Sequence, residues 1–342
     1  GDNNIAIGAY AGDAITSGYQ NVLIGQNAGG AMTTGASNVA IGDTALEDIV
    51  TGGANIAIGR NAGKEMGAAE NGNILIGMAA GQLLDEGSNG TINDNIAIGK
   101  DAFLGGDLST ASTAVYRNIA IGTNALNSTG TNAQTGTIAI GYDALTALTS
   151  GAQNTAVGYL ALTGLVTGTG NTAVGYQAAN ALGAAEQYNT SVGFGSMRDF
   201  DEGSGGHVND NVALGYDALR GADLGSASTT VSGNIAIGLS AGAAMTDNTN
   251  NTIIGYQAFD AADSGENENT VIGSGAGGAI NNAAADNNVL IGFAAGAGGT
   301  GDLKKSIAIG NYALDATGSN TMDGAVAIGH YALSALTSGA GN

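Results

Sequence analysis

The chain has no cysteine, no proline and no tryptophan among its 342 residues. Without cysteine there is no disulfide framework, no Cys-ligated metal and no Cys nucleophile. The absence of proline is consistent with a backbone whose N–H groups are nearly all needed for hydrogen bonds between strands. Basic residues are scarce as well, with 8 Lys and Arg against 29 Asp and Glu and a net charge of −21. We therefore expect neither nucleic acid nor an anionic membrane as a partner, because both bind basic patches.

The sequence also has few features that would indicate catalysis or membrane insertion. No apolar run approaches the roughly 18 residues of a membrane-spanning helix, and no phosphate-binding loop is present. The two histidines, His207 and His330, lie in unrelated positions and are interpreted as surface residues. A polysaccharide-cleaving β-helix enzyme would need clustered acidic or basic side chains, and we expect no basic residues stacked at one repeat position. The chain is therefore predicted not to be an enzyme.

Glycine is abundant, with 61 residues, and much of it is periodic. The repeated unit is Asn-φ-Ala-φ-Gly-x-x-Ala, where φ is mostly Ile or Val, as in the segment 118–125. It occurs in 18 copies spaced 17 to 23 residues apart. The repeat glycines are Gly8, Gly25, Gly42, Gly59, Gly77, Gly99, Gly122, Gly141, Gly158, Gly175, Gly193, Gly215, Gly238, Gly255, Gly273, Gly292, Gly310 and Gly329. A period in this range predicts a solenoid.

The pattern within the unit predicts strands rather than helices. The three residues before each repeat glycine alternate with a period of two, and the glycine would interrupt a helix in every copy. We expect an all-β fold, a rod-shaped parallel β-solenoid of about 18 coils with two short strands and two corners per coil. Residues 1–342 are predicted to form one continuous solenoid segment of a longer repetitive protein.

Each recurring residue type has a predicted structural role. The invariant glycine suits a tight corner with φ above zero. Three residues later stands Ala in 17 copies and Ser196 in the other, which indicates a close approach of two layers. The first position is Asn in 15 copies, with Thr137, Ser306 and Ala325 as exceptions. A file of Asn is expected to form a hydrogen-bonded ladder from coil to coil.

The unit resembles the repeats of known fibrous proteins. The segment Ile119-Ala120-Ile121-Gly122-Thr123-Asn124-Ala125 resembles the head repeats of trimeric autotransporter adhesins. The segment Asn171-Thr172-Ala173-Val174-Gly175-Tyr176-Gln177-Ala178 is similar to repeats of phage tail-fibre proteins and of large secreted surface proteins of marine bacteria. The resemblance covers essentially the whole chain, although adhesin heads use shorter coils.

That resemblance implies a fold, an assembly and a function. The implied fold is a left-handed parallel β-roll, and the implied assembly is a homo-oligomer of parallel chains, usually three. The implied function is a structural and adhesive shaft segment of an extracellular, cell-surface appendage. A phage tail-fibre shaft, located on the virion, is the alternative.

The residues themselves also predict self-assembly, through the middle position of the strand. If Ile119 and Ile121 point into the coil, Ala120 points out, and an isolated solenoid should carry polar residues there. The position is apolar in every copy except that of Ser191. An apolar stripe of this length predicts an interface between chains. The alanines assigned to it are Ala6, Ala40, Ala57, Ala97, Ala120, Ala139, Ala156, Ala173, Ala213, Ala236, Ala308 and Ala327.

No cofactor is expected, but two long loops carry candidate residues for a calcium site. They are Asp85, Glu86 and Asp94 in one loop and Asp201, Glu202 and Asp210 in the other. Carboxylate oxygens in loops are typical Ca²⁺ ligands, and solvated side chains are the alternative interpretation.

A file of tyrosines is a further candidate site. Tyr142, Tyr159, Tyr176, Tyr216 and Tyr256 each follow a repeat glycine directly. They either cover a corner of the coil or form a sugar-binding strip. An ice-binding surface would need a file of Thr in consecutive coils, and the positions after the repeat glycine do not provide one.

Overall fold

A computed structural model shows two compact units, Gly1–Gly170 and Asn171–Asn342. It describes residues 1–67, 69–84, 91–106, 114–128, 134–183, 185–200, 206–221, 229–298, 303–316, 321–336 and 339–340. Within these ranges there are strands and turns and no helix. The all-β parallel solenoid expected from the sequence is confirmed in each unit.

The first unit stacks nine coils, and each coil contributes one three-residue strand to a parallel sheet. These strands are β1 (Ile5–Ile7), β2 (Val22–Ile24), β3 (Val39–Ile41), β4 (Ile56–Ile58), β5 (Ile74–Ile76), β7 (Ile96–Ile98), β9 (Ile119–Ile121), β11 (Ile138–Ile140) and β12 (Thr155–Val157). Equivalent residues pair across neighbouring coils, as Ala139 does with Ala120 and Ala156. A second parallel sheet contains β6 (Thr91–Asn93), β8 (Ala114–Tyr116) and β10 (Gln134–Thr135).

The second unit repeats this arrangement with nine strands of its own. They are β13 (Thr172–Val174), β14 (Thr190–Val192), β16 (Val212–Leu214), β18 (Ile235–Ile237), β19 (Thr252–Ile254), β20 (Thr270–Ile272), β21 (Val289–Ile291), β23 (Ile307–Ile309) and β25 (Val326–Ile328). Two smaller parallel sheets accompany them. One pairs β15 (His207–Asn209) with β17 (Thr230–Ser232), and the other contains β22 (Leu303–Lys304), β24 (Met322–Asp323) and β26 (Gly339–Ala340).

The prediction of two strands in every coil is wrong for all the 17-residue coils and for several longer ones, such as those that end at Gly77, Gly193, Gly273 and Gly292. Among the described residues, no coil of 17 residues has a second strand. In the shorter coils that segment consists of turns. Their backbone still bonds from coil to coil, as Ala31 N–H does to the Glu47 carbonyl at 2.8 Å. The stacking is therefore continuous even where strand geometry is absent.

The repeat glycine occupies a backbone conformation that other residues avoid. Its φ lies between 128° and 145° in all 18 copies, a region that is essentially restricted to glycine. A Cβ on Gly25 would overlap the carbonyl oxygen of Gly42, the repeat glycine of the next coil. The predicted corner role of this residue is confirmed, and the close stacking of glycine on glycine gives a second reason for it.

The predicted Asn ladder is also confirmed. The Oδ1 of Asn21 accepts hydrogen bonds from the backbone N–H of Asn38 at 2.9 Å and from its Nδ2 at 3.2 Å. Nδ2 of Asn38 also donates to the Gly52 carbonyl at 2.9 Å, which ties the strand to the closing segment of the coil. Apart from Asn4, the ladder asparagines are buried. This network therefore satisfies polar backbone groups that the interior would otherwise leave unpaired.

The strand residues face the opposite way from the orientation expected from the sequence. The middle residue points into the coil, and the first and third residues point out. In the strand Ile138–Ile140 the middle Ala139 is fully buried, whereas Ile138 and Ile140 are only partly covered. The same holds for the other alanines assigned to the assembly interface except Ala6, which is exposed. Those with 0–1% exposure are Ala40, Ala57, Ala97, Ala120, Ala139, Ala156, Ala173, Ala213, Ala236, Ala308 and Ala327. These methyl groups line the inside of the coil and cannot form an interface between chains.

Size complementarity explains why small residues face inward. The residue four positions after the repeat glycine also points into the core, and it is large in many coils, as with Leu145. Where the middle strand residue is itself large, this position is usually glycine. A Cβ on Gly63 or on Gly81 would lie 2.7 or 2.8 Å from a methyl carbon of Leu75. Four of the five coils with a large middle residue therefore have glycine at the second position, and only the coil of Ile253 and Phe259 buries a large side chain at both.

In one coil, serine replaces the apolar residue at two inward-facing positions. Ser191 replaces the middle alanine and Ser196 replaces the alanine three residues after the repeat glycine. Their Oγ atoms lie 2.6 Å apart, and Ser191 Oγ also donates to the Ser196 carbonyl at 2.9 Å. Both side chains are fully buried. The two substitutions therefore satisfy each other, as buried hydroxyls require.

Candidate functional site

The outward side of each sheet forms a continuous apolar surface, which we call the strand face. It consists of the first and third residues of the 18 sheet strands. The third residue is Ile in 14 coils, Val in three and Leu in one, and the first is Ile or Val in 13 and Thr in five. No charged residue occurs at either position. Sequence reasoning missed this surface because it placed these side chains inside the coil, although their regular alternation was the available signal.

The strand face is an extended and partly exposed apolar strip in each unit. Side chains on it are partly exposed, and Ile58, Val174 and Ile309 each retain 36% of their surface. Nine coils stacked about 4.8 Å apart make a strip about 38 Å long in each unit. With a width of about 10 Å, each strip covers roughly 400 Å², which is the size of the largest apolar patch on a typical monomer, a patch that is often functional.

Aromatic side chains border the strand face on one side. The tyrosines predicted from the sequence are exposed, with Tyr142 at 46% and Tyr256 at 53%. Phe194 and Phe293 occupy the same position after the repeat glycine and extend the file. Because one glycine separates this position from the last strand residue, the aromatic file runs directly beside the strand face.

Neighbouring rings of this file stack on one another. In the first unit the centroids of Tyr142 and Tyr159 lie 5.3 Å apart, with planes 12° from parallel. In the second unit Phe194 stacks on Tyr176 at 4.8 Å and on Tyr216 at 5.3 Å. Both faces of the Phe194 ring are therefore covered by rings of the same chain, and a partner would meet mainly ring edges and hydroxyls.

The calcium candidates gain no support from the described residues. Asp94 and Asp210 are both exposed and have left-handed backbone at φ 59°. Asp94 N–H donates to the Asn71 carbonyl at 3.1 Å, and Asp210 N–H does the same to Gln187. Asp85, Glu86, Asp201 and Glu202 lie outside the described residues. In the described part of the chain, no three His, Asp or Glu side chains are grouped so that they could hold a metal ion.

One charged cluster contradicts the expectation that no basic residues stack at one repeat position. Arg198 and Arg220 each stand five residues after a repeat glycine in neighbouring coils, and both contact Asp199, at 2.8 and 3.3 Å. Arg198 also approaches Asp217 at 3.8 Å. The hydrogen bond to Asp199 raises the pKa of Arg198. The four side chains form an ion-pair network on the coil surface.

A buried carboxyl in the second unit is a further feature that the sequence did not indicate. Glu266 is fully buried, and its Oε2 accepts a hydrogen bond from Asn248 Nδ2 at 2.9 Å. Its Oε1 has no hydrogen-bond partner among the described residues. Burial raises the pKa of Glu266, since the charged form loses its hydration.

The two histidines lie on the surface, as interpreted from the sequence. His207 and His330 are both exposed, and His330 contacts the ring of Tyr331.

No helix in the described ranges is long and apolar enough to cross a bilayer. Comparison with models of known protein families gave no match, and comparison with curated proteins gave none either.

Proposed function

We propose that this chain is a structural and adhesive shaft segment of an extracellular fibrous appendage, in which parallel copies pack along their strand faces. The observation that carries the proposal is the composition of that surface. In a solenoid exposed to water on its outside, the outward positions of a sheet should be polar. Here 18 consecutive coils keep them apolar or Thr and never charged.

The chemistry of the surface favours a second copy over other partners. This strip of regularly spaced, mostly β-branched side chains carries hydroxyl groups at only five positions, and its spacing of about 4.8 Å matches that of an identical strip. The acidic surplus lies outside the strand face, where it would keep assembled chains soluble. The resemblance to adhesin head repeats favours three chains.

Sugar binding by the aromatic file is the less favoured function. Carbohydrate C–H groups pack against the negatively charged face of an aromatic ring. Phe194 has both faces covered by Tyr176 and Tyr216, so sugars would find few open faces there. A phage tail-fibre shaft uses the same packing as a surface appendage, and the genes flanking the full-length protein would distinguish the two.

The proposal is tested by placing charge on the strand face. Ile24, Ile41 and Ile58 occupy the third strand position in consecutive coils and are replaced together by Lys. Desolvating three like charges per chain against a symmetry mate is strongly unfavourable. We expect the oligomer to dissociate in light scattering, while circular dichroism of the chain stays unchanged. Lysine lowers the net negative charge, so general repulsion would not account for the loss.

A matched control uses Ser17, Thr34 and Thr51, which are exposed in the closing segments of the same region. Replacing these three by Lys adds the same charge away from the strand face, and the oligomer should persist. An unchanged oligomer with the strand-face lysines, or a wild-type chain that is monomeric at all concentrations, would overturn the proposal.

A further inference from the structure

Two pairs of tyrosines stack on one another in neighbouring coils. Tyr142 and Tyr159 each follow a repeat glycine directly, and their ring centroids lie 5.3 Å apart with planes 12° from parallel. Tyr312 and Tyr331 stand two residues after theirs, with centroids 4.8 Å apart and planes 4° from parallel. In both pairs the preceding strands are paired in register. The backbone therefore holds the two tyrosines of a pair one coil spacing apart, about 4.8 Å.

Both pairs are open to reagents in solution. Tyr142, Tyr159 and Tyr331 keep 43–53% of their surface exposed, and Tyr312 is half-buried. Stacking covers faces of the rings, whereas the hydroxyl groups and the carbons ortho to them lie on the ring edges. The packing of strand faces proposed above makes no use of these groups.

The tyrosines are the main oxidisable side chains at the surface. The chain has no cysteine and no tryptophan. Five of its six methionines are fully buried, and Met78 is partly exposed. A one-electron oxidant in solution therefore meets mainly phenol groups. Without a thiol the chain also cannot join its coils by disulfides, so coupling of tyrosines offers a different route to a covalent bond between coils.

We propose that the two stacked pairs are sites of oxidative modification, at which a peroxidase-class enzyme and hydrogen peroxide join neighbouring coils through dityrosine. Each phenol loses one electron and one proton, and the two phenoxyl radicals form a carbon–carbon bond between their ortho carbons. The hydrogens on these carbons then move to the phenol oxygens. Hydrogen peroxide takes up the two electrons and two protons and leaves as two molecules of water. The reaction requires only a single chain and does not depend on the proposed self-association.

Stacking favours this coupling because it holds the two reacting rings together before oxidation. Groups fixed beside one another react as if at a far higher concentration than groups that must first meet by diffusion. Rotation about the side-chain bonds is enough to bring ortho carbons of the two rings into contact. The bond would connect residues 17 positions apart in the first pair and 19 in the second. It would therefore restrict the unfolded chain as a disulfide does.

A third aromatic stack lacks the phenol that coupling would need. Phe194 lies between Tyr176 and Tyr216, with centroids at 4.8 and 5.3 Å. Phenylalanine forms no phenoxyl radical, and two coil spacings place the outer tyrosines about 10 Å apart. The natural chain should therefore give no link between Tyr176 and Tyr216. Phe194→Tyr should create a new link to one of them, and a variant without any new link would contradict the proposal.

Oxidation of the folded chain by a haem peroxidase and hydrogen peroxide tests the proposal. The protein is oxidised in dilute solution, recovered as single chains from a denaturing gel, and digested on the N-terminal side of aspartate. Asp143 separates Tyr142 from Tyr159, and two aspartates separate the members of the second pair. We expect mass spectrometry to find peptides that contain both members of a pair and have lost two hydrogen atoms.

Matched variants remove two phenols from stacked or from unstacked positions. Tyr159→Phe with Tyr331→Phe keeps both stacks but leaves one phenol in each, and dityrosine fluorescence should fall about tenfold. Tyr19→Phe with Tyr256→Phe removes two exposed tyrosines that have no tyrosine at the equivalent position of a neighbouring coil. This control should keep the fluorescence of the natural chain. Unfolding in urea before oxidation should abolish the preference for the two pairs.

Three results would overturn the proposal: equal fluorescence from the two double variants, the same preference for the pairs in urea, or oxidised tyrosines in the folded chain without these links. The cross-linked protein should also unfold at a higher urea concentration than the oxidised Tyr159→Phe, Tyr331→Phe variant, because its unfolded state is restricted. An unchanged midpoint would overturn the stabilising role of the cross-links.

Discussion

The inner and outer sides of the same strand follow different rules. Inside, Ala139 is one of a file of fully buried residues that are mostly Ala. Outside, Ile138 and Ile140 are larger, yet water covers part of their surface. Alternation with a period of two defines two faces of a strand, but it does not say which is buried. In the 13 strands with Ala or Ser at the middle position the larger side chains lie outside, and we infer that the available volume decides the orientation.

The largest change in the free energy of unfolding should come from a charged residue on the inner side of the strand. Ala139→Glu would bury a carboxylate between coils with no cationic partner, and we expect a loss of more than about 4 kcal/mol in the free energy of unfolding. The adjacent Ile140→Glu should cost the isolated chain less than about 1 kcal/mol but weaken association. Urea unfolding and light scattering separate the two. Equal destabilisation by both variants would contradict the assigned orientation.

A pair of substitutions tests whether the middle strand residue and the residue four positions after the repeat glycine fill the same part of the core. Leu75→Ala should destabilise the chain by about 2–5 kcal/mol, because the cavity it leaves is bordered by Gly63 and Gly81. Adding Gly81→Leu converts this coil to the combination found with Ala139 and Leu145. The double variant should recover more than half of the loss in urea unfolding. If Gly81→Leu lowers the free energy of unfolding further, the side chains at positions 75 and 81 do not occupy the same volume of the core.

Removing one asparagine of the Asn ladder should lower the free energy of unfolding by a somewhat smaller amount. Asn118→Ala removes the Oδ1 that accepts the Thr137 N–H at 3.0 Å and the Nδ2 that donates to the Gln134 carbonyl at 3.0 Å. Two buried backbone groups lose partners, which should cost about 2–3 kcal/mol. The exposed Asn311→Ala serves as a control from the outside and should change the melting temperature far less. Similar shifts for both variants would argue against the ladder as a source of stability.

The smallest effect concerns the buried carboxyl of Glu266. Because burial raises its pKa, its favourable contribution is complete below the unfolded value of about 4.3 and is lost as pH rises through the folded pKa. Glu266→Gln should therefore stabilise the chain by about 1 kcal/mol at neutral pH and by little below about pH 4. Thermal unfolding at several pH values measures this difference, and a gain that is independent of pH would exclude titration as its cause.

Much of the architecture could be predicted because it depends on residue identity at a fixed period. The repeat glycine, the Asn ladder and the alanine represented by Ala144 each have one physical role that follows from backbone conformation, hydrogen bonding or size. The orientation of the strand could not be predicted from alternation alone. It depends on large residues later in the same coil, such as Leu145 and Leu148, which are fully buried as Ala139 is.

The self-assembly surface was predicted at the alanine file, which the structure places inside the coil. The alanine file and the Ile and Val files are both apolar, so the sequence alone allows either to form an interface. The structure buries the alanine file and leaves the Ile and Val files on the outside. The aromatic file was recognised from Tyr142 and its equivalents, but Phe194 was missed because only tyrosines were counted. The ring stacking depends on the spacing of coils and is not visible in the sequence.

Thiol reactivity at two adjacent positions tests the central claim most directly. Ala139→Cys and Ile140→Cys place a single thiol on the inner or the outer side of the same strand. A cysteine at 139 should be protected from a soluble thiol reagent at every protein concentration. One at 140 should be protected in the concentrated oligomer and react on dilution to monomer. Reaction at 139 in the folded chain, or reaction at 140 that does not depend on concentration, would contradict the account.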